Sequence, residues 1–104
     1  MFSNRLTSFL RISVFAALLA VAACQTAPVQ EMSDARQAIE VAREAGAEEH
    51  AEGILEVALV HLNKAEESLG MRRYEDARVD ALLAKSSALE ALQLAQAATE
   101  ETQD

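Results

Sequence analysis

A lone cysteine, two histidines, an acidic ladder and a group of arginines are the side chains of this chain that could do chemistry. Cys24 is the only cysteine among 104 residues, so no disulfide can form within the chain. His50 and His61 lie eleven positions apart. On one helix they would share a face yet stand about 16 Å from each other, too far to hold one metal ion, so both are read as solvent-facing. Glu48, Glu52 and Glu56 repeat at i, i+4, a like-charge ladder that mildly destabilises a helix and is expected to face water rather than a cation. Arg72, Arg73 and Arg78 cluster with Glu75, Asp76 and Asp80. Local ion pairs worth a few tenths of a kcal/mol account for them, the alternative being a surface for an anionic partner. Ser86 and Ser87 have no His or Lys arrangement to activate a nucleophile, and no glycine-rich phosphate loop exists. No catalytic residue, metal site or cofactor is expected.

The surroundings of Cys24 carry more information than its thiol. Met1 to Arg11 holds Arg5 and Arg11 and no acidic residue, and Ile12 to Ala23 is apolar apart from Ser13. As a helix this apolar run would rise about 18 Å, short of the roughly 30 Å hydrocarbon core, so a signal peptide is favoured over a membrane span. Val21, Ala22 and Ala23 then leave a peptidase free access to the backbone. The segment resembles the bacterial lipoprotein signal, whose last four positions run Leu/Val/Ile, Ala/Ser/Thr, Gly/Ala, Cys; Val21-Ala22-Ala23-Cys24 fits each of them. That resemblance implies diacylglyceryl on the Cys24 sulfur, cleavage before Cys24 and acylation of the new amino group. Two or more acyl chains hold a protein on a bilayer stably. The alternative is an ordinary secretory peptide cut near Ala23, with a stray cysteine. Residue 25 is Gln rather than the Asp that retains such proteins at the inner membrane, so the resemblance points to the periplasmic face of the outer membrane.

Setting residues 1–23 aside changes the composition. Phe2, Phe9 and Phe15 go, leaving Tyr74 as the one aromatic side chain. Of nine basic residues two go, while all seventeen acidic ones stay, so residues 24–104 carry seven against seventeen, a formal net charge of −10. Such a surface repels phosphate backbones, which argues against nucleic acid. It is also repelled by an anionic bilayer, so lipid rather than charge is expected to anchor the chain. A domain this small is marginal alone, which is a motive for self-association or a protein partner.

The elements that must position these residues are helices. Residues 24–32 hold the only proline and are expected to be the lipidated cysteine and a tether, residues 33–100 a helical domain, and 101–104 a frayed tail. Ser33 or Asp34, the latter at capping-box spacing from Gln37, should start the first helix. Its apolar face is Ala35, Ala38, Ile39, Ala42 and Ala45, and Gly46 should end it. Gly53 follows a polar stretch. Leu55, Ala58, Leu62, Ala65 and Leu69 then step by three and four, the rhythm of packed helices. Gly70 is expected to be the left-handed residue after this second helix.

A third helix should run from about Tyr74 to Thr99 with Ala77, Ala81, Ala84, Ala88, Ala91, Ala95 and Ala98 in one seam, close enough for another helix backbone. Leu82, Leu83, Leu89, Leu92 and Leu94 flank it and should supply most of the buried area. The expectation is an all-α fold: an antiparallel helical hairpin with an additional N-terminal helix. Ala81, Ala84, Ala88, Ala91, Ala95, Arg72 and Arg73 form its candidate interaction surface.

Four segments are similar to a family of short, alanine-rich bacterial envelope lipoproteins defined by a domain of unknown function. They are Asp34-Ala35-Arg36-Gln37-Ala38-Ile39, Ala42-Arg43-Glu44-Ala45-Gly46-Ala47, Leu62-Asn63-Lys64-Ala65-Glu66 and Tyr74-Glu75-Asp76-Ala77-Arg78. The similarity spans about residues 33 to 98. Where the family has Tyr-Ala-Pro, this chain has His50-Ala51-Glu52-Gly53. Leu69-Gly70 with Tyr74 and Ala77 also resembles the turn of a tetratricopeptide repeat, one residue longer and without a second copy. The short murein lipoprotein attaches through a C-terminal lysine, whereas the last lysine here is Lys85. These resemblances imply an address and a shape but no catalytic residue.

Two functions follow as expectations. The first is a non-catalytic envelope lipoprotein whose helices act as a scaffold or interaction module for an envelope protein or a second copy. The other is a lipoprotein carrying or sensing a small apolar ligand, which closely packed alanine helices disfavour. A chain beginning at Gln25 should give a strongly helical circular dichroism spectrum; a coil spectrum would overturn the all-α reading.

Overall fold

The computed structural model describes residues 2–24 and 26–103, with side chains for 4–15 and 26–103. Among these residues there is no strand. Five helices follow in order: α1 (Phe2–Cys24), α2 (Val29–Glu44), α3 (Ala47–His50), α4 (Glu52–Gly70) and α5 (Tyr74–Gln103).

Local chemistry sets the helix ends, and in three places it departs from expectation. Helix α2 starts at Val29 rather than at Ser33, because Pro28 already holds a fixed φ of −79° and lacks the N–H that a helix start leaves unpaired. Met32 N–H donates to the Pro28 carbonyl at 3.0 Å, and both side chains are fully buried. Asp34 therefore lies inside the helix and caps nothing. It accepts from Gln30 Nε2 at 2.8 Å and faces Lys85 Nζ at 3.8 Å. Gly46 ends α2 as expected, with φ +93°, and its carbonyl accepts from Glu49 and His50 to begin the single turn of α3. Ala51, non-helical at φ −146° and ψ 39°, separates α3 from α4, so His50 and His61 are not on one helix. Gly53 lies in the first turn of α4.

The third departure is at the α4–α5 turn. Gly70 remains helical, and Arg72 takes the left-handed conformation instead, with φ +60°. Arg73 N–H reaches back to the Ser68 carbonyl at 2.8 Å and Arg72 N–H to the Leu69 carbonyl at 3.0 Å. This is the Schellman pattern, with arginine where glycine is usual.

Packing makes α5 the common partner. Its most extensive contact is with α4 and the next with α2, while α2 and α4 meet over a smaller area. Met32 clusters with Ala65 and Ala81, whereas Ala42 and Ala47 cluster with Ala88, Ala91 and Ala95. Helix α2 thus runs alongside α5 in the same direction, with α4 antiparallel to both. Among the described residues α1 packs on no other helix. The long dimension is 79 Å and the radius of gyration 21.4 Å, well above the ~13 Å of a compact domain of this length.

The core is built of methyl groups. Ala77, Ala81, Ala84, Ala88, Ala91 and Ala95 are all 0% exposed, as are Ala35, Ala42, Ala47, Ala58 and Ala65. The largest apolar core residues are Leu55, Ile39 and Met32. The expectation that the α5 leucines supply the buried area is corrected: Leu82, Leu83, Leu89 and Leu94 are 41 to 50% exposed, and only Leu92 packs against the core. The 3-4 alanine register faces α2 and α4, which rotates the flanking positions outward.

Two substitutions test this description. Arg72→Gly should raise stability by about 0.5–1 kcal/mol, as relief of the left-handed strain exceeds the entropy glycine adds to the unfolded chain. Ala84→Leu or Ala88→Leu should cost about 1–3 kcal/mol through overpacking. Urea unfolding midpoints read both; an unchanged midpoint for the leucine variants would show a seam with room to spare.

Candidate functional site

The most structured polar region lies where the chain enters the bundle. Arg78, in the second turn of α5, is half-buried and reaches three partners. Its Nε lies 3.4 Å from Glu31 Oε1 on α2, its Nη1 pairs with Glu75 one turn earlier, and its Nη2 donates to the Thr26 carbonyl at 3.3 Å. One planar guanidinium, with its fork of donors, thereby joins the lead-in segment, α2 and α5. Only Glu75 was foreseeable from sequence. Glu31 and Thr26 are 47 and 52 positions away in the chain.

Further along, His61 on α4 and Asp80 on α5 form a second cross-helix contact, Nδ1 to Oδ1 at 3.1 Å, with both side chains mostly covered. The reading of His61 as solvent-facing is corrected, and Asp80 serves this histidine rather than the arginines. Arg36 of α2 pairs with Glu66 of α4 at 3.2 Å in the open, and Arg43 with Glu48 at the far end. His50 is exposed and lies 3.9 Å from Glu49. Glu48, Glu52 and Glu56 are exposed and divided between α3 and α4, so they form no continuous ladder.

The remaining expected site residues separate cleanly. Ala81, Ala84, Ala88, Ala91 and Ala95 are enclosed by this chain's own helices. They are not available as an interaction surface on the folded chain, because α2 and α4 already fill the seam. Arg72 and Arg73 are exposed at the tip of the α4–α5 turn. Open grooves lie beside them, lined by Lys64, Glu67, Ser68, Arg73 and Asp76, and between α2 and α5 near Val41 and Leu89. The side chains of Val21, Ala22, Ala23 and Cys24 lie outside the described residues, as does Gln25.

Cys24 nevertheless has a bounded position. It is two residues from Thr26, and two residues of chain span at most about 7 Å. Because Arg78 holds Thr26, the Cys24 backbone lies close to the end of the bundle that bears the α4–α5 turn.

No family model matches this chain, and no curated protein or solved structure does. Among the described residues no three His, Cys, Asp or Glu side chains converge on a metal position, and no helix is long and apolar enough to cross a membrane. Ser86 is exposed and Ser87 half-buried on α5, and no described hydrogen bond ties either hydroxyl to a base.

Arg78→Ala should lower stability by about 1 kcal/mol, between the cost of a surface pair and that of a partly buried charged hydrogen bond. Amide exchange of residues 28–34 should accelerate more than that of α4. Uniform acceleration would mean that Arg78 does not specifically hold the chain entry.

Proposed function

We propose that this chain is a bacterial envelope lipoprotein: residues 1–23 are a signal peptide removed before Cys24, and Cys24 carries the lipid. The remainder is a non-catalytic helical scaffold or interaction module on the periplasmic face of the outer membrane. In this reading α4 and α5 form a repeat-like antiparallel hairpin, with α2 as the additional N-terminal helix.

The observation that carries the proposal is the contrast between α1 and the rest. Leu6, Phe9, Leu10, Ile12, Val14 and Phe15 stand 58 to 70% exposed on a helix that packs against nothing else in the chain. Exposed apolar surface of this extent belongs against a membrane or a protein. The basic residues of α1, Arg5 and Arg11, precede its most apolar part, the arrangement of an export signal. The bundle needs nothing from α1, since α2 begins with its own proline start and closes its own alanine core. Removal of residues 1–23 would leave that core intact.

Support for an interaction role lies on the outer side of α5. With methyl groups inside and Leu82, Leu83 and Leu94 outside, α5 is apolar on two sides. A helix apolar on both sides suits burial between its own bundle and another protein. A partner in the envelope, or a second copy, would cover that side.

Replacing Cys24 with Ser should abolish incorporation of labelled palmitate and leave the protein either soluble in the periplasm or as an unprocessed precursor. A wild-type chain that takes up no label, or a Cys24→Ser chain still acylated, would overturn the anchor. Photo-crosslinkers at Leu83 and Leu94 should capture a protein in cells, with Glu40 on α2 as the control. Monomer alone at all three positions would remove the interaction role.

A further inference from the structure

We infer that the Met71–Arg73 turn is a membrane-docking tip, which rests on headgroup phosphates and stands the bundle upright on the bilayer. The inference rests on the lipid anchor at Cys24 and deepens it by giving the anchored bundle an orientation.

Four observations converge on this end of the molecule. First, Arg78 fixes Thr26, and hence the chain within two residues of Cys24, at the end where α4 turns into α5. Second, the turn presents Met71, Arg72 and Arg73 together and exposed, Met71 at 55%, and Val29 at the same end is 70% exposed. An apolar side chain beside two guanidiniums matches the bilayer interface, where apolar atoms enter the acyl boundary and cations meet phosphate oxygens. Third, Arg72 holds a left-handed φ of +60° where glycine would fit without strain. The Schellman bonds from Arg72 and Arg73 N–H use the backbone alone, and no described ion pair engages either guanidinium. Fourth, two of the nearby carboxylates are already paired. Glu75 and Glu31 are engaged by Arg78, while Glu67 and Asp76 flank Arg73 in the groove one turn above the tip.

The opposite end has no comparable pair of arginines at its tip. Glu44, Glu48, Glu49 and Glu52 lie there, with Arg43 against Glu48 and His50 beside Glu49. The chain beyond the signal is strongly acidic overall, so an anionic surface repels it as a whole; screening over about 8–10 Å nevertheless makes the nearest charges dominate. A tethered bundle therefore turns its arginine tip toward the phosphates and its glutamate end away. The lipid supplies affinity, and the charge distribution supplies orientation.

The test uses the mature, acylated chain purified from membranes and reconstituted into vesicles of phosphatidylcholine, with or without phosphatidylglycerol. Acylation blocks the Cys24 thiol, so Met71→Cys and, as the far-end control, Glu49→Cys each take one environment-sensitive fluorophore. The probe at 71 should shift to the blue and be quenched by headgroup-level spin-labelled lipid several-fold more than the probe at 49. Phosphatidylglycerol should strengthen that quenching and high salt weaken it. Adding Arg72→Gly with Arg73→Gln, which keeps the turn geometry, should reduce quenching at 71 to the control level with helicity unchanged. Equal quenching at 71 and 49, or quenching indifferent to both arginines, would overturn the docking tip. Vesicle flotation separates the two readings: a chain that floats with vesicles but leaves residue 71 in water sinks the docking alone, whereas one that neither floats nor carries acyl mass sinks the anchor with it.

Discussion

Close approach of helix backbones across a seam of alanines is the constraint from which the rest of this structure follows. Six alanines of α5 have no exposed surface at all, and α2, α3 and α4 answer them with alanines of their own. Methyl groups at most of these contacts favour axes near the short end of the usual 8–10 Å spacing. The alanine register occupies the inner face of α5, so its larger side chains, Leu92 apart, turn outward. The bundle consequently gains less from area removed from water than a leucine-cored one would, and more from dispersion between densely packed backbones. Among the described residues the spaces beside its helices are open grooves, at the α4–α5 turn and between α2 and α5, which favours a role carried by surfaces.

Such a core depends on its ends. Helices that touch mostly through methyl groups have few large side chains to lock their register, and polar contacts add to that task. Arg78 joins α5 to α2 and to the lead-in, and His61 with Asp80 joins α4 to α5. Pro28 and Met32, the largest fully buried side chains, plug the bundle where the chain enters. The turn between α4 and α5 tolerates a strained Arg72 because the Schellman bonds on either side over-determine its backbone. Entry, plug, arginine clasp and strained turn all belong to one end, where Glu31 and Glu75 are paired with Arg78.

Much of this was readable along the chain. The alanines at 77, 81, 84, 88, 91 and 95 are buried in the order their 4-3 spacing requires, and Leu55, Ala58 and Ala65 are buried on α4. Gly46 stops α2 because a positive φ suits glycine. Other positions misled. Ser33 and Asp34 have the composition of a helix start, yet Pro28 starts the helix a turn earlier because Met32 has a pocket to fill. Gly70 looks like the residue that should turn left-handed, but the final turn of α4 persists past it and Arg72 takes that conformation. His61 reads as a surface histidine until α5 brings Asp80 against it.

Periodicity and composition alone determined that the chain is helical, where its apolar faces run and that alanine lines the longest of them. They also determined how acidic the chain becomes once its first residues are set aside. These are properties of neighbours three and four positions apart, which share a face whatever else happens. Tertiary structure decided which helix fills the alanine seam, that the leucines face out, and that Arg78 clasps a carbonyl 52 positions away. It also decided that the chain near Cys24 enters beside the α4–α5 turn. These outcomes rest on contacts between segments distant in sequence, and the choice among them is made by which helices can approach closely enough to exclude water from a row of methyl groups.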